Sequence, residues 1–242
     1  MAYSEREKLT TLSELFKGGE DKLYKKYSSI NIDKDLDRII KDIVYKKWSR
    51  FIGLGYYKSH YTKSCTLSEY VKNALLSIGD GDFEMGKRLF YQRIQTIRNH
   101  IISRNQQYTN DMINNAIMKN IFFITYGGFA FEEILSEVLK SKGFTIVESE
   151  QLDNEYNIDL LATKNEIGVG IQCKSISYLH MNRSIKEKHL QKQIKAIQNA
   201  ECHTTIYIYH NEDLNVVDSN NNVMSIEELI QYIMKNISKF KS

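Results

Sequence analysis

Two short runs with strand character, residues 158–163 and 169–174, flank the polar turn Lys164-Asn165-Glu166, and together they constrain the fold more than any other stretch. So short a polar connection suits an antiparallel hairpin. In Gly168-Val169-Gly170-Ile171-Gln172-Cys173-Lys174 the apolar side chains occupy the odd positions. A period of two sends Val169, Ile171 and Cys173 to one face and Gln172 and Lys174 to the other. On the facing run Ile158 and Leu160 bracket Asp159, which points away from the face they bury. Paired in this way, the two runs bring Asp159, Gln172 and Lys174 together on one surface.

Around this hairpin the chain reads as helices and single strands. Upstream, apolar residues from Leu36 through Phe51 recur at helical spacing, with Asp33, Asp35 and Asp37 at the start and Lys46, Lys47 and Arg50 at the end, as the helix dipole favours. Thr66 with Glu69 forms a capping box for a helix to Ile78, and further helices are expected over 84–105 and 110–124. The pattern changes near Gly127-Gly128. A helix over 129–141 stops at Gly143, a strand covers 144–149, and the hairpin follows. Ser184 with Glu187 caps a helix to about Ala200, Thr204 to Tyr209 is a strand, and Ser225 with Glu228 opens a final amphipathic helix. The expected fold is α/β, in the order α-β-β-β-α-β-α, with a central mixed sheet flanked by helices and preceded by a helical region. The domain division falls between residues 1–124 and 125–242.

Charge separates the same two parts. Residues 1–125 hold 21 Lys+Arg against 14 Asp+Glu, a balance of +7, and the remaining 12 against 16 give −4. A basic half that grips a polyanion and an acidic half that gathers carboxylates around a cation would have this asymmetry. No apolar run approaches the roughly 20 residues that span a bilayer, so no membrane association is expected. The three cysteines, Cys65, Cys173 and Cys202, have no paired spacing, and the N-terminus lacks the apolar core of a secretory signal, so a cytoplasmic location is expected. No histidine sits at zinc-ligand spacing, and no glycine loop of the Walker type suggests ATP.

An aspartate, an amide carbonyl and an ammonium placed together suit phosphodiester hydrolysis. Hard oxygen ligands hold Mg²⁺, which polarises the phosphate and acidifies water. The lysine orients that water or stabilises charge building on the phosphate. The string Phe131-Glu132-Glu133 on a helix, Asp159 within NIDLLAT and Gln172-Cys173-Lys174 within GVGIQCKS resembles the PD-(D/E)XK nuclease superfamily, over roughly residues 125 to 210. Within it the chain is most similar to the Mrr-like and resolvase-like branch, where Gln often replaces the Glu of the last motif. The resemblance implies Glu132 as the helix acid, Asp159 as central metal ligand, Gln172 as second ligand and Lys174 as catalytic lysine. Two departures stand out: no proline precedes Asp159, and a neutral amide binds Mg²⁺ more weakly than a carboxylate. Glu132, Asp159 and the Cys173 backbone carbonyl must therefore supply more of the coordination. Glu133 is the alternative to Glu132, and Asp153 and Glu155 lie in the loop before Asp159.

Candidate DNA contacts lie in two places. Residues 43–68 contain no acid, and interleave Lys46, Lys47, Arg50, Lys58 and Lys63 with aromatics that include Tyr56 and Tyr57, a mixture that suits phosphate neutralisation plus stacking. On the helix after the motif, Lys188, Lys192 and Lys195 line the side opposite Leu190, Ile194 and Ile197. The helix with Lys87, Arg88, Arg93, Arg98 and Arg104 is a third, weaker candidate. The expected activity is a Mg²⁺-dependent endonuclease acting on double-stranded DNA, with Mn²⁺ able to substitute and no ATP needed. The expected type is a type II restriction enzyme that reads a palindromic site as a homodimer. An Mrr-like or repair nuclease for modified or branched DNA, and a DNA-binding module without catalysis, are the alternatives.

Overall fold

The computed structural model describes residues 11–12, 21–43, 66–104, 107–180 and 183–239. They fall into two compact units, residues 17–129 and residues 130–242 joined by 1–16. The first unit is helical: α1 (Lys22–Ser28), α2 (Lys34–Ile43), α3 (Leu67–Ile78), α4 (Phe83–Ile102) and α5 (Asn110–Met118). Side chains cap these helices where orphan amides need acceptors. Asp21 accepts from the Leu23 and Tyr24 amides, Thr66 and Glu69 form the expected reciprocal box, and Asp82 and Thr109 open α4 and α5. Aromatic rings fill the space between the helices, with centroid separations of 5.0 Å for Tyr24–Phe123, 5.1 Å for Phe90–Phe122 and 5.7 Å for Tyr70–Tyr126.

Helices α3 and α4 form a hairpin whose close approach depends on Gly86. A methyl there would meet the Leu75 carbonyl oxygen at 1.8 Å, against backbone that has no rotamer by which to yield. Gly86→Ala should therefore destabilise this unit by about 3 kcal/mol, at the upper end of overpacking costs. Thermal unfolding checks this; an unchanged midpoint would show that the hairpin can open at no cost.

The expected break at Gly127-Gly128 does not occur. After α5 the chain makes one π-helical turn, Lys119–Phe123, and continues as α6 (Ile124–Ser141) through both glycines. In the wide turn Lys119 donates to the Ile30 carbonyl at 2.9 Å and Asn120 to Asp37 Oδ1 at 3.0 Å. Glycine costs a helix about 1 kcal/mol relative to alanine. Burial of Tyr126 before the pair and of Ala130 and Phe131 after it offsets that cost.

The second unit is built on a five-stranded mixed sheet flanked by helices. The strands are β1 (Thr145–Val147), β2 (Leu160–Lys164), β3 (Ile167–Ser175), β4 (Thr204–His210) and β5 (Val216–Val217), in that spatial order. All neighbours are antiparallel except β3 and β4, which run parallel. The helices are α7 (Glu150–Tyr156), α8 (Arg183–Gln198) and α9 (Ile226–Ser238), with a 3-10 turn over Ile176–His180.

The hairpin forms with a tighter turn than expected, because Lys164 pairs with Ile167 and only Asn165 and Glu166 remain in the loop. Both have positive φ, 51° and 67°, the twist that two-residue hairpins require. Helix α7 replaces the expected loop, so Asp153 and Glu155 lie on a helix. Ser149 caps it by accepting from the Leu152 amide, and left-handed Asn157 ends it. The expected Ser184 cap is displaced, since α8 starts at Arg183 and Glu187 pairs with Arg183 Nε at 2.8 Å. The Ser225–Glu228 box forms at α9.

Candidate active site

Asp159 follows the left-handed turn at Asn157, and its amide donates to the Ile171 carbonyl at 2.9 Å, one step before β2 pairs regularly with β3. Gly170 makes room there: a side chain on it would meet Ile158 Cδ1 at 2.7 Å. Beyond this point β3 has no strand partner on the β2 edge, and the Asp159 carboxylate takes that place. Its Oδ2 accepts from the Cys173 amide at 2.7 Å and from Gln172 Nε2 at 2.5 Å. By strand parity the Cys173 carbonyl opens toward the same edge as its amide.

These groups meet below the surface rather than on it. Gln172 is fully buried and Asp159 only 8% exposed, while Lys174 is half-buried. The expectation of an open, alternating hairpin face fails because β3 is the central strand and is buried continuously from Ile167 to Cys173. Helices cover the face that the alternation alone would leave wet, as happens to a strand with a parallel neighbour.

Gln172 Oε1 is a buried acceptor with no hydrogen-bond partner. An uncompensated amide oxygen costs about 1–3 kcal/mol and calls for a reason. One carboxylate, this amide oxygen and a backbone carbonyl form a hard-oxygen set suited to Mg²⁺, so the residues present fit the metal that the sequence implies. Among the described residues no three His, Cys, Asp or Glu side chains form a metal-binding cluster.

A row of rings runs beside the site. Tyr207 and Tyr209 on β4 are the ladder partners of Gln172 and Lys174 and share their face. Tyr209 stacks on Tyr207, Tyr207 on Tyr178 at 5.6 Å, and Tyr178 on His189 at 5.7 Å. The Tyr178 hydroxyl bonds His189 Nδ1 at 3.0 Å. Burial, with help from Tyr178, pushes the Tyr207 hydroxyl far above its ordinary value, while a bond from buried Gln193 opposes it. Burial, with the charges of Lys174 and Lys192, lowers the His189 pKa. Sequence reasoning missed Tyr178, Tyr207, Tyr209, His189 and Gln193. The two β4 tyrosines carry a signal, an aromatic at every second position. Tyr178 and His189 are joined only by the path of the chain through the 3-10 turn.

Helix α6 passes the far end of β3. Phe131 stacks on His210 at 4.5 Å, and His210 is the ladder partner of Ser175, next to Lys174. Glu132 and Glu133 follow directly, both half-buried. Burial lowers the His210 pKa, with the Lys174 charge adding to the effect and a backbone bond to Asn211 opposing it. The unfolded chain therefore binds a proton that the folded state refuses. Stability from this residue is fully present above about pH 6.5 and is lost as pH falls below it. His210→Gln should flatten the fall in thermal midpoint between about pH 6.5 and 5. Parallel pH curves for wild type and variant would refute this.

The lysine stripe on α8 is exposed at Lys188, Lys192 and Lys195; Lys192 donates to the Asn154 carbonyl at 2.7 Å and Lys195 lies over the Tyr156 ring. The side of α8 that packs inward carries Gln193 and Ala196, leaving Leu190, Ile194 and Ile197 between 36% and 47% exposed. Lys46, Lys47, Arg50, Tyr56, Tyr57, Lys58 and Lys63 lie outside the described residues. Cys173 and Cys202 are buried and stand outside any disulfide. No helix among the described residues is long and apolar enough to cross a membrane.

Residues 125–214 match a family of catalytic domains of the Mrr type, described as restriction endonuclease; residues 1–124 lie outside the match. No curated protein and no solved structure matches the chain. The matched segment holds α6, the hairpin with Asp159, Gln172 and Lys174, and strand β4, the parts that a PD-(D/E)XK-type core assembles around its reaction centre. Residues 125–214 thus match the catalytic domain of restriction endonucleases of the Mrr type and have the fold of a nuclease domain of the PD-(D/E)XK superfamily.

Proposed function

We propose that the chain is a Mg²⁺-dependent endonuclease that hydrolyses double-stranded DNA at a short specific site, in the manner of type II restriction enzymes. The observation that carries this reading is the partnerless Gln172 Oε1, buried against Asp159 and two residues along the same strand face from the half-buried Lys174. Asp159, Gln172 Oε1 and the Cys173 carbonyl would hold the metal, with Glu132 of α6 as a further carboxylate. Bound there, Mg²⁺ would draw charge from the scissile phosphate and acidify the attacking water. Lys174 supplies a fixed positive charge for the phosphate oxygens as negative charge builds on them. Tyr207, held by Tyr178 and Gln193, keeps bulk water from the Gln172 side, which strengthens each of these interactions. The basic N-terminal region is assigned to DNA recognition, Mn²⁺ is expected to substitute for Mg²⁺, and two copies are expected to act on a two-fold symmetric site.

Digestion of a plasmid of known sequence with Mg²⁺ and no ATP, followed by sequencing of the ends, tests this reading. Discrete fragments that share one end sequence are expected, with Lys174→Ala binding DNA but leaving the plasmid intact. Cutting confined to methylated or branched DNA would replace it with an Mrr-like or repair nuclease. Binding without cutting in either Mg²⁺ or Mn²⁺ would indicate a module that has lost catalysis.

A further inference from the structure

Helix α4 has a polar face of unusual composition. Its buried side is Gly86, Phe90, Ile94, Ile97 and Ile101. On the opposite side Arg88, Gln92, Gln95 and Asn99 recur at i, i+4, i+7 and i+11, all exposed and within an arc of about 60°. Arg93 and Arg98 lie on opposite flanks of this row, each about a quarter to a third of a turn away. No acid follows Glu84 in the helix. Solvated helix faces commonly carry Glu–Lys pairs at i,i+4, and this one carries none beyond its first turn. Thr96 and Ser103, on the same side, turn their hydroxyls back to the carbonyls of Gln92 and His100. The amides are thus left to project, together with Arg88, one of whose guanidinium nitrogens donates to Met85 Sδ at 2.8 Å.

We propose that α4 is the base-reading helix of this protein and that its occupant is the major groove of duplex DNA. This rests on the DNA-cleaving reading above and names its recognition element. Helix and groove match in width, about 10–12 Å against about 12 Å. The row from Arg88 to Asn99 is about 16 Å long, the length of about five base pairs. Gln and Asn offer a donor and an acceptor side by side, the pattern that adenine presents, and Arg pairs with guanine. Arg93 and Arg98 reach out from the two flanks toward the phosphate walls of the groove. A basic protein surface would find no carboxylate here, and the row itself is polar throughout, with exposed Tyr91 and Met85 beside it.

The test uses the full chain in EDTA, where binding is read without cleavage. Sites are selected from a random duplex library, and affinity for the selected site is measured against salt. Gln95→Ala with Asn99→Ala should relax the preference at one or two positions by about tenfold to a hundredfold, with the salt slope unchanged. Arg93→Ala with Arg98→Ala should weaken all duplexes alike and lower the salt slope by about one to two. Alanine favours helix and Gln95 and Asn99 are exposed, so the amide variant should keep the wild-type thermal midpoint; Arg93 and Arg98 are half-buried, and the melt of their variant serves as its folding control. Amide variants that select the wild-type site, or a full chain that binds no duplex, would overturn the proposal. Selection as expected from a protein that never cuts would instead defeat the nuclease reading and leave the helix assignment standing. A wild type that cuts discretely, with amide variants cutting at the same sites, would do the reverse.

Discussion

Asp159→Asn is expected to give a folded, DNA-binding protein that cuts at least about a thousandfold more slowly, whereas Asp159→Ala loses stability as well. The difference follows from the two hydrogen bonds that converge on Oδ2. Gln172 Nε2 and the Cys173 amide are both buried donors, and both find their acceptor there. The Asn carbonyl oxygen can occupy the same place and keep both bonds, so only the charge is lost. Alanine leaves two buried donors stranded, at about 1–3 kcal/mol each. Comparing plasmid cleavage, DNA binding and urea midpoints for the two variants separates the roles. Full activity in Asp159→Asn would remove this carboxylate from catalysis. Equal stability of the two variants would show that the bonds to Oδ2 contribute little to the fold.

Gln172→Glu should convert the pair into a pH- and metal-dependent weak point. The change removes the Nε2 donor and sets two carboxyl groups against each other in a buried place. Both cannot ionise there, so one keeps its proton in the folded state with a pKa raised above the ordinary carboxylate range. Because the unfolded chain has lost that proton above about pH 4, stability is greatest at or below that pH. It falls as pH rises through the raised folded value, by about 3 kcal/mol for a shift of two units. Mg²⁺ binds the doubly ionised pair and should restore the thermal midpoint at pH 8, by more than it raises that of the wild type. Thermal melts at pH 5 and pH 8, with and without Mg²⁺, read both effects. A variant whose midpoint ignores the metal would place position 172 outside any metal site.

Much of this was legible in the residues because it depends on periods and caps. The alternation in Gly168–Lys174, the polar turn after it and the bracketing of Asp159 by Ile158 and Leu160 are local signals. They locate a hairpin and bring Asp159 against Gln172, which the structure shows in hydrogen-bond contact. Capping boxes at Thr66 and Ser225 start helices where the expected bonds form. Helix α7 was not legible, since seven residues without a clear apolar stripe read equally well as a polar loop; Leu152 and Tyr156 bury only because α8 lies across them. Gly127-Gly128 looked like a boundary for the opposite reason, because propensity gave the wrong answer where packing of Tyr126 and Phe131 prevails.

The chain's own pattern determined which residues face each other across the hairpin, because strand parity and turn length are short-range and allow few alternatives. Burial was decided only in three dimensions. Whether Gln172 ends in water or buried beside Tyr207 depends on β4 pairing in parallel from 35 residues downstream, Tyr207 being opposite Gln172 in the ladder while only two residues of turn separate β2 from β3. The same distant pairing lines up the ring stack from Tyr209 to His189. A side chain's polarity sets what it would cost to bury; the rest of the fold decides whether that cost is incurred, and here it leaves an amide oxygen without a partner at the place proposed for the cation.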